Sequence, residues 1–316
     1  MSEQTLTQVP ARRSSRLKNA LDSDLIYSLR KSPLTMVAAV VTLVLVLSAV
    51  FAPWIAPQNP YDPSSLSIMD SFYPPAWEAD GDPRFLLGTD DQGRGLLSTI
   101  LYGMRTSLAV GFASVIFAMV LGVTLGLVAG YFGGKTDSII MRIADVQLTF
   151  PAILIALLID GVARGLAGSH AYDEIVFGVL ILSIGLSFWV QYARTVRGSV
   201  IVEANKEYVL AARLIGLGPI TIMFRHVLPN VLGPVLVIAT INLALAIITE
   251  ATLSFLGVGA PLTQPSLGTL IRVGNDFLFS GEWWITIFPG VTLAVLALAV
   301  NLLGDWLRDA LNPKLR

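Results

Sequence analysis

Five long stretches of the chain carry no Asp, Glu, Lys or Arg, and polar segments of unequal length separate them. These stretches are residues 32–61, 106–134, 175–193, 227–249 and 283–304. A helix that crosses the hydrocarbon core of a membrane needs about 20 mostly apolar residues, so each stretch predicts a transmembrane helix. Residues 139–159 form a weaker candidate, because Arg142 and Asp145 lie near the start and Pro151 lies in the middle.

The composition supports a membrane protein with several spans. Hydrophobic residues make up 54% of the 316 positions, and charged residues make up 14%. Soluble domains carry about 25% charged residues, so a water-soluble core could not hide this much apolar surface. The chain has no cysteine. Disulfides and thiol chemistry are therefore excluded.

The positions of Lys and Arg predict the orientation, because these residues gather on the cytoplasmic side of a membrane protein. Two segments are rich in them: the tail 1–33, with Arg12, Arg13, Arg16, Lys18, Arg30 and Lys31, and the loop 194–229, with Arg194, Arg197, Lys206, Arg213 and Arg225. Both segments lie inside only if four spans precede the loop, which requires counting 139–159. We therefore expect an all-α, polytopic protein with six transmembrane helices and both termini cytoplasmic. The expected spans are 34–56, 106–132, 139–159, 175–193, 230–250 and 284–304, with an outer loop at 57–105.

The N-terminal tail has leucines at every fourth position from Leu17 to Leu29, beside basic residues. This pattern favours an amphipathic helix on the inner membrane face. A disordered tail is the alternative.

The loop 194–229 contains a helical pattern that a simple connection would not need. At 100° per residue, one face of residues 208–217 holds Tyr208, Ala211, Ala212 and Ile215, and another holds Leu210, Leu214 and Leu217. A helix that is apolar on nearly all sides needs burial, either against a partner protein or against the ends of the spans. Gly216 and Gly218 are placed to end this helix with positive φ, and Pro219 is placed to begin the next one.

The same loop resembles the E-A-A signature loop of membrane permeases from ATP-binding-cassette importers. Ala211, Ala212, Gly216, Leu228 and Pro229 match that pattern, while Leu210 stands where the family has Glu. The subgroup that imports dipeptides, oligopeptides and nickel is matched further by Tyr208, Val209, Arg213, Arg225, His226 and Asn230. Residues 51–57, 87–108 and 250–259 resemble other segments of this subgroup, although Gly95 stands where Asp is usual.

The resemblance implies the fold of a type I importer permease, in the second (C-type) permease subunit, in the bacterial cytoplasmic (inner) membrane. It implies a homologous permease as heterodimer partner, two cytoplasmic ATPase subunits and an extracytoplasmic substrate-binding protein. The ATPase-coupling residues would be Glu207, Tyr208, Ala211, Ala212, Arg213, Gly216, Gly218 and Pro219. ATP and Mg would bind the ATPases, and this chain would hold no catalytic residue, cofactor or metal and bind no nucleic acid. The cargo remains open, because in the family the binding protein largely sets selectivity.

Two groups of polar residues lie along the predicted fifth span and at the predicted outer face. Asn242, Thr249, Glu250 and Ser254 fall roughly along one helical stripe, which would line a substrate route. Glu250 would otherwise be a structural hydrogen-bond or ion-pair partner. Asp90, Arg94 and Arg105 would form a charged rim that either contacts the binding protein, as a docking site or outer gate, or orders the outer loop.

Other classes of membrane protein fit less well. An ion-coupled transporter or channel would carry broken spans with polar centres and several carboxylates at mid-depth. An intramembrane enzyme would need a motif such as His-Glu-x-x-His or Gly-x-Ser-Gly, and neither occurs. A Walker Gly-x-x-x-x-Gly-Lys-Ser/Thr loop is also missing, so any ATP hydrolysis would belong to another chain.

Overall fold

The computed structural model describes residues 32–62, 64 and 66–311, and within them the architecture is helical. The helices are α1 (Pro33–Val50), α2 (Ala52–Ile55), α3 (Leu96–Phe132), α4 (Gly134–Leu148), α5 (Ala152–Glu203), α6 (Glu207–Leu214), α7 (Pro219–Ile222), α8 (Leu228–Phe255), α9 (Leu267–Phe277) and α10 (Trp284–Leu311). A short π-helical segment, Met223–Val227, joins α7 to α8. The predicted amphipathic helix of the N-terminal tail lies outside the described residues.

In the described part of the chain, five helical segments are long and apolar enough to cross a membrane: Pro33–Val50, Leu96–Phe132, Glu174–Glu203, Pro219–Phe255 and Trp284–Ala310. A bent pair of helices provides a sixth crossing if it counts as one span. The all-α polytopic fold is confirmed. Four helices extend beyond the expected spans. Helix α3 begins ten residues earlier, at Leu96, and α5 continues to Glu203. Helices α8 and α10 end later than expected, at Phe255 and Leu311.

The weak third span is broken rather than straight. Helix α4 and residues 152–167 of α5 meet at an angle of 93°. Pro151 stands at the break and caps α5. A proline has no N–H to donate and disfavours helical geometry in the residue before it, so the sequence Phe150-Pro151 explains where the helix stops.

Helix α5 reverses direction within its 52 residues. The Ser187 hydroxyl donates to the Ala152 carbonyl at 3.3 Å, whereas a straight helix would separate these residues by about 52 Å. The two arms, 152–167 and 174–203, therefore lie antiparallel. Near the reversal, Asp160 accepts hydrogen bonds from Tyr172 and from Arg164.

The main core lies between α3 and the second arm of α5. Glycines at every fourth position of α3 allow the two backbones to approach closely. A Cβ added at Gly126 would lie 2.5 Å from the Ala193 carbonyl oxygen, and one added at Gly130 would lie 2.8 Å from Val200 Cβ. Small residues at such spacing are typical of close helix packing in membranes.

A second core joins α3, α8, α9 and α10 beneath the outer loop. Leu267 and Leu270 of α9 are buried there together with Ile247 of α8 and Met104 of α3. The outer loop is fastened to the same core, since the Trp284 indole N–H donates to the Thr89 carbonyl at 3.0 Å.

Candidate functional site

Residues 207–222, which we name the docking segment, form a short helix and a turn at one end of the bundle. Val209 and Ala212 are buried, and they pack into the main core with Val200 and Val227. The helical wheel placed Ala211 and Ala212 on one face, and the structure separates them. Ala211 is exposed, whereas Ala212 is buried beside Val209.

The outward face of the docking segment is apolar. Leu214 is 88% exposed, Ile215 is 77% exposed and Ile220 is 69% exposed. Gly216 ends the helix with φ of +83°, a conformation that favours glycine. Gly218 has φ of −64° and caps the next helix instead, which Pro219 begins. Exposed apolar side chains that lie outside the spans are typical of interaction surfaces.

Tyr208 fastens the docking segment to the two spans that flank it. Its hydroxyl donates to the Glu203 carboxylate at the end of α5 and accepts from Asn230 Nδ2 at 3.0 Å near the start of α8. Lys206 Nζ also lies 2.7 Å from Glu203 Oε2. Burial and then the hydrogen bond to Glu203 raise the pKa of Tyr208. The phenol therefore stays protonated as a donor.

A third attachment reaches α3. The Arg213 guanidinium lies 4.9 Å from the centre of the Tyr131 ring, within the range of a cation–π contact. The exposed face of the docking segment is thus carried on a base joined to α3, α5 and α8. Glu207 lies exposed in the first turn of α6.

Glu250 lies at the centre of a buried network near the other end of the bundle. The hydroxyls of Ser107 and Ser254 each donate to its carboxylate at 2.7 Å. Both serine oxygens accept a backbone N–H in turn, from Leu267 at 3.2 Å and from Ala260 at 3.2 Å. The network cross-links α3, α8 and α9 through serines, and Glu250 forms no ion pair with an arginine among the described residues.

The four residues of the expected stripe on α8 do not share one surface. Glu250 and Ser254 lie in the buried network, and Asn242 is buried beside Tyr192. Thr249 is partly exposed and donates to the Leu245 carbonyl of its own helix at 2.7 Å.

The expected charged rim is also divided. Asp90 and Arg94 are nearly fully buried and form an ion pair at 2.6 Å. Asp90 accepts in addition from the backbone N–H of Gln92 at 2.9 Å and of Arg94 at 3.0 Å, which orders the loop around it. Arg105 is exposed and faces a cavity of about 570 Å³. Sequence reasoning missed Tyr61, Tyr102 and Phe177 in its wall, although Tyr102 and Arg105 lie three residues apart.

The structure defines the class of multi-pass helical membrane proteins, with an exposed apolar segment at one end and a buried polar network near the other. The chain belongs to the family of inner membrane components of binding-protein-dependent transport systems, whose family model matches residues 122–316. The N-terminal transmembrane domain of oligopeptide transport permease C matches residues 23–75. The chain is therefore a permease component of a bacterial inner-membrane transporter and not an enzyme.

Individual relatives agree with the family. The chain is 40% identical over 275 residues to the di/tripeptide transport system permease protein DppC of Pseudomonas aeruginosa, covering 87% of this chain and 86% of the relative. It is 40% identical over 281 residues to the dipeptide transport system permease protein DppC of Escherichia coli K12, covering 89% of each. An inward-facing structure of the MetNI methionine ABC transporter is similar with a TM-score of 0.52 and 21% identity, over 69% of this chain and 98% of that one. That likeness shows the fold.

Proposed function

We propose that the chain is one of two homologous permease subunits of an ATP-driven importer of short peptides. The two permeases would form the path, two ATPase subunits would bind ATP and Mg on the cytoplasmic side, and an extracytoplasmic protein would deliver the cargo. The peptide transport named for both relatives, each matched over more than four fifths of its length, supports this cargo class.

The docking segment is the element that would receive work from the ATPases. Its outward side chains are apolar, and a partner of complementary shape would bury them at a gain of about 25 cal/mol per Å². Its base is attached to three spans through Tyr208 and Arg213. A helix seated in an ATPase cleft and anchored in this way would pass nucleotide-driven closure to the spans, as a two-state switch biased by ATP.

This role requires the docking segment, and with it both chain termini in a six-span arrangement, to lie in the cytoplasm. The excess of Lys and Arg in residues 194–225 supports that orientation. The opposite end would then face the binding protein, with the loop held by Asp90 and Arg94.

The single observation that carries the proposal is the exposure of Leu214, Ile215 and Ile220 on an anchored base. Leu214→Asp places a charge on that face without touching the core. In the complex co-expressed with its partner subunits, we expect the ATPase subunits to be lost from the purified particle and ATP-dependent uptake to stop. The matched control is Phe279→Asp, since Phe279 is 97% exposed at the other end. Full retention of the ATPases in Leu214→Asp would refute the docking role, and uptake by this chain alone on an ion gradient would refute the importer.

A further inference from the structure

A cavity of about 570 Å³ opens between α3, the second arm of α5 and the outer loop. Its floor is apolar and is formed by Ala109, Val110, Ala113, Phe177 and Ile181. Its rim is polar and is formed by Tyr61, Tyr102, Arg105, Thr106 and Gln264. Apolar cavities with a few convergent polar groups are typical of small-molecule sites.

Among the described residues, Arg105 is the only charged side chain in the wall of this cavity. It forms no ion pair with any residue that the structure describes. An arginine stays protonated under all ordinary conditions and presents its donors as a planar fork that matches a carboxylate. A guanidinium above an apolar floor therefore attracts an anion with two acceptor oxygens.

Neutral hydrogen-bond donors flank the arginine. The rings of Tyr61 and Tyr102 meet edge to face, with centroids 5.0 Å apart. Burial raises the pKa of Tyr61 to about 12. Its hydroxyl therefore keeps its proton, and it adds no negative charge that would compete for the guanidinium.

The direction in which Arg105 points is fixed by the opposite face of α3. Ser107 donates to the buried Glu250. Gly103 and Gly111 leave room for α9 and α8, because an added Cβ would lie 3.2 Å from Leu270 Cδ1 and 2.9 Å from Ile247 Cγ1 respectively. Since residues two apart on a helix point about 200° from each other, holding Ser107 inward holds Arg105 toward the cavity.

We propose that Arg105 and the cavity above α3 bind the terminal carboxylate of a peptide after it leaves the binding protein. The guanidinium would receive the carboxylate, the tyrosine hydroxyls would supplement it, and the apolar floor would accept a side chain. This inference rests on the proposed peptide importer and assigns it a substrate-contacting residue.

The test compares a peptide that ends in a free carboxylate with the same peptide ending in an amide. Uptake is measured in proteoliposomes that contain the whole complex, with ATP inside and binding protein preloaded with either peptide. Losing a charge-assisted hydrogen-bond pair should slow uptake of the free acid about ten-fold in Arg105→Gln. Uptake of the amide should change less than about two-fold, because the amide has no charge for the guanidinium to bind. Arg105→Lys should restore part of the preference, since the charge is kept and the fork is lost. Arg142→Gln, which removes an exposed arginine on α4, is the matched control.

The outcomes separate the possible anions. Equal slowing of both peptides in Arg105→Gln would overturn the proposal and assign Arg105 to a carboxylate of a partner protein or to a lipid phosphate. Unchanged uptake of both peptides would overturn it too. If the unaltered complex imports neither peptide, the proposed function itself fails, and the inference fails with it.

Discussion

Tyr208→Phe removes one hydroxyl and tests whether the docking segment must be tied to its neighbouring spans. The hydroxyl donates to the Glu203 carboxylate and accepts from Asn230 at 3.0 Å. A hydrogen bond to a charged group contributes about 1.5–3 kcal/mol and a neutral one about 0.5–1.5 kcal/mol. Tyr208 is 38% exposed, and water partly replaces both bonds, so we expect a net loss of about 1–2 kcal/mol. That loss shifts the attached arrangement about 5- to 30-fold relative to a detached one.

The assay is the number of peptides imported per ATP hydrolysed by the reconstituted complex. Since the apolar face of the docking segment is untouched, the ATPases should stay bound and hydrolyse ATP. If the docking segment detaches from its neighbouring spans when the ATPases close, the complex should import several-fold fewer peptides per ATP. Tyr131→Phe is the matched control, because the ring contacts Arg213 and its hydroxyl makes no hydrogen bond within the described residues. An unchanged ratio in Tyr208→Phe, or an equal fall in both variants, would refute the reasoning.

Two further substitutions test the packing and the outer loop. Gly126→Ala should lower the thermal stability of the purified complex, because the added Cβ would lie 2.5 Å from the Ala193 carbonyl oxygen. The control is Gly198→Ala, whose Cβ would meet nothing within 4 Å and should leave the melting temperature unchanged. Equal melting temperatures for the two variants would count against tight α3–α5 packing. Arg94→Ala leaves Asp90 as an unpaired buried charge and should lower the free energy of unfolding of the outer region, measured with denaturant, by about 3–5 kcal/mol. The control is Arg84→Ala, at a largely exposed ion pair, which should lower it by less than about 1 kcal/mol. Similar losses in the two variants would contradict a structural role for the buried Asp90–Arg94 pair.

The spans were predictable because a soluble fold rarely contains charge-free apolar runs about 20 residues long. The shape of the third span was harder to predict. The mostly apolar sequence of residues 139–159 indicates a membrane segment but does not indicate whether the helix is straight or bent. Pro151 marked the break, and proline is also tolerated in continuous spans. The angle of 93° depends on tertiary contacts, such as the hydrogen bond between Ser187 and Ala152, which a sequence pattern does not contain.

The sequence predicted the position of the helix in the 194–229 loop, but it did not predict which face of that helix is buried. A helical wheel sorts residues by angle, and on α6 nearly every angle is apolar. Which side becomes the inner one depends on the neighbouring spans, and they bury Val209 rather than Ala211. At the outer end, the second span was expected to begin at residue 106. Tyr102 and Arg105 were therefore assigned to the outer loop, and their position on one face of a helix was missed. Once α3 begins at Leu96, the two side chains fall on one side of the same helix.

The positions of the attachments indicate how movement at the docking segment would reach the outer cavity. Tyr131 and Ser107 lie 24 residues apart on α3, or about 36 Å, and each is fastened to another element. Asn230 and Glu250 lie about 30 Å apart on α8, and Glu250 is joined to Ser107. The two helices are linked directly at the outer end and, through Tyr208 and Arg213 of the docking segment, at the inner end. A push on the docking segment would therefore tilt them together. Arg105 lies two residues from the outer link, and the proposed carboxylate site would therefore change shape whenever the ATPases close.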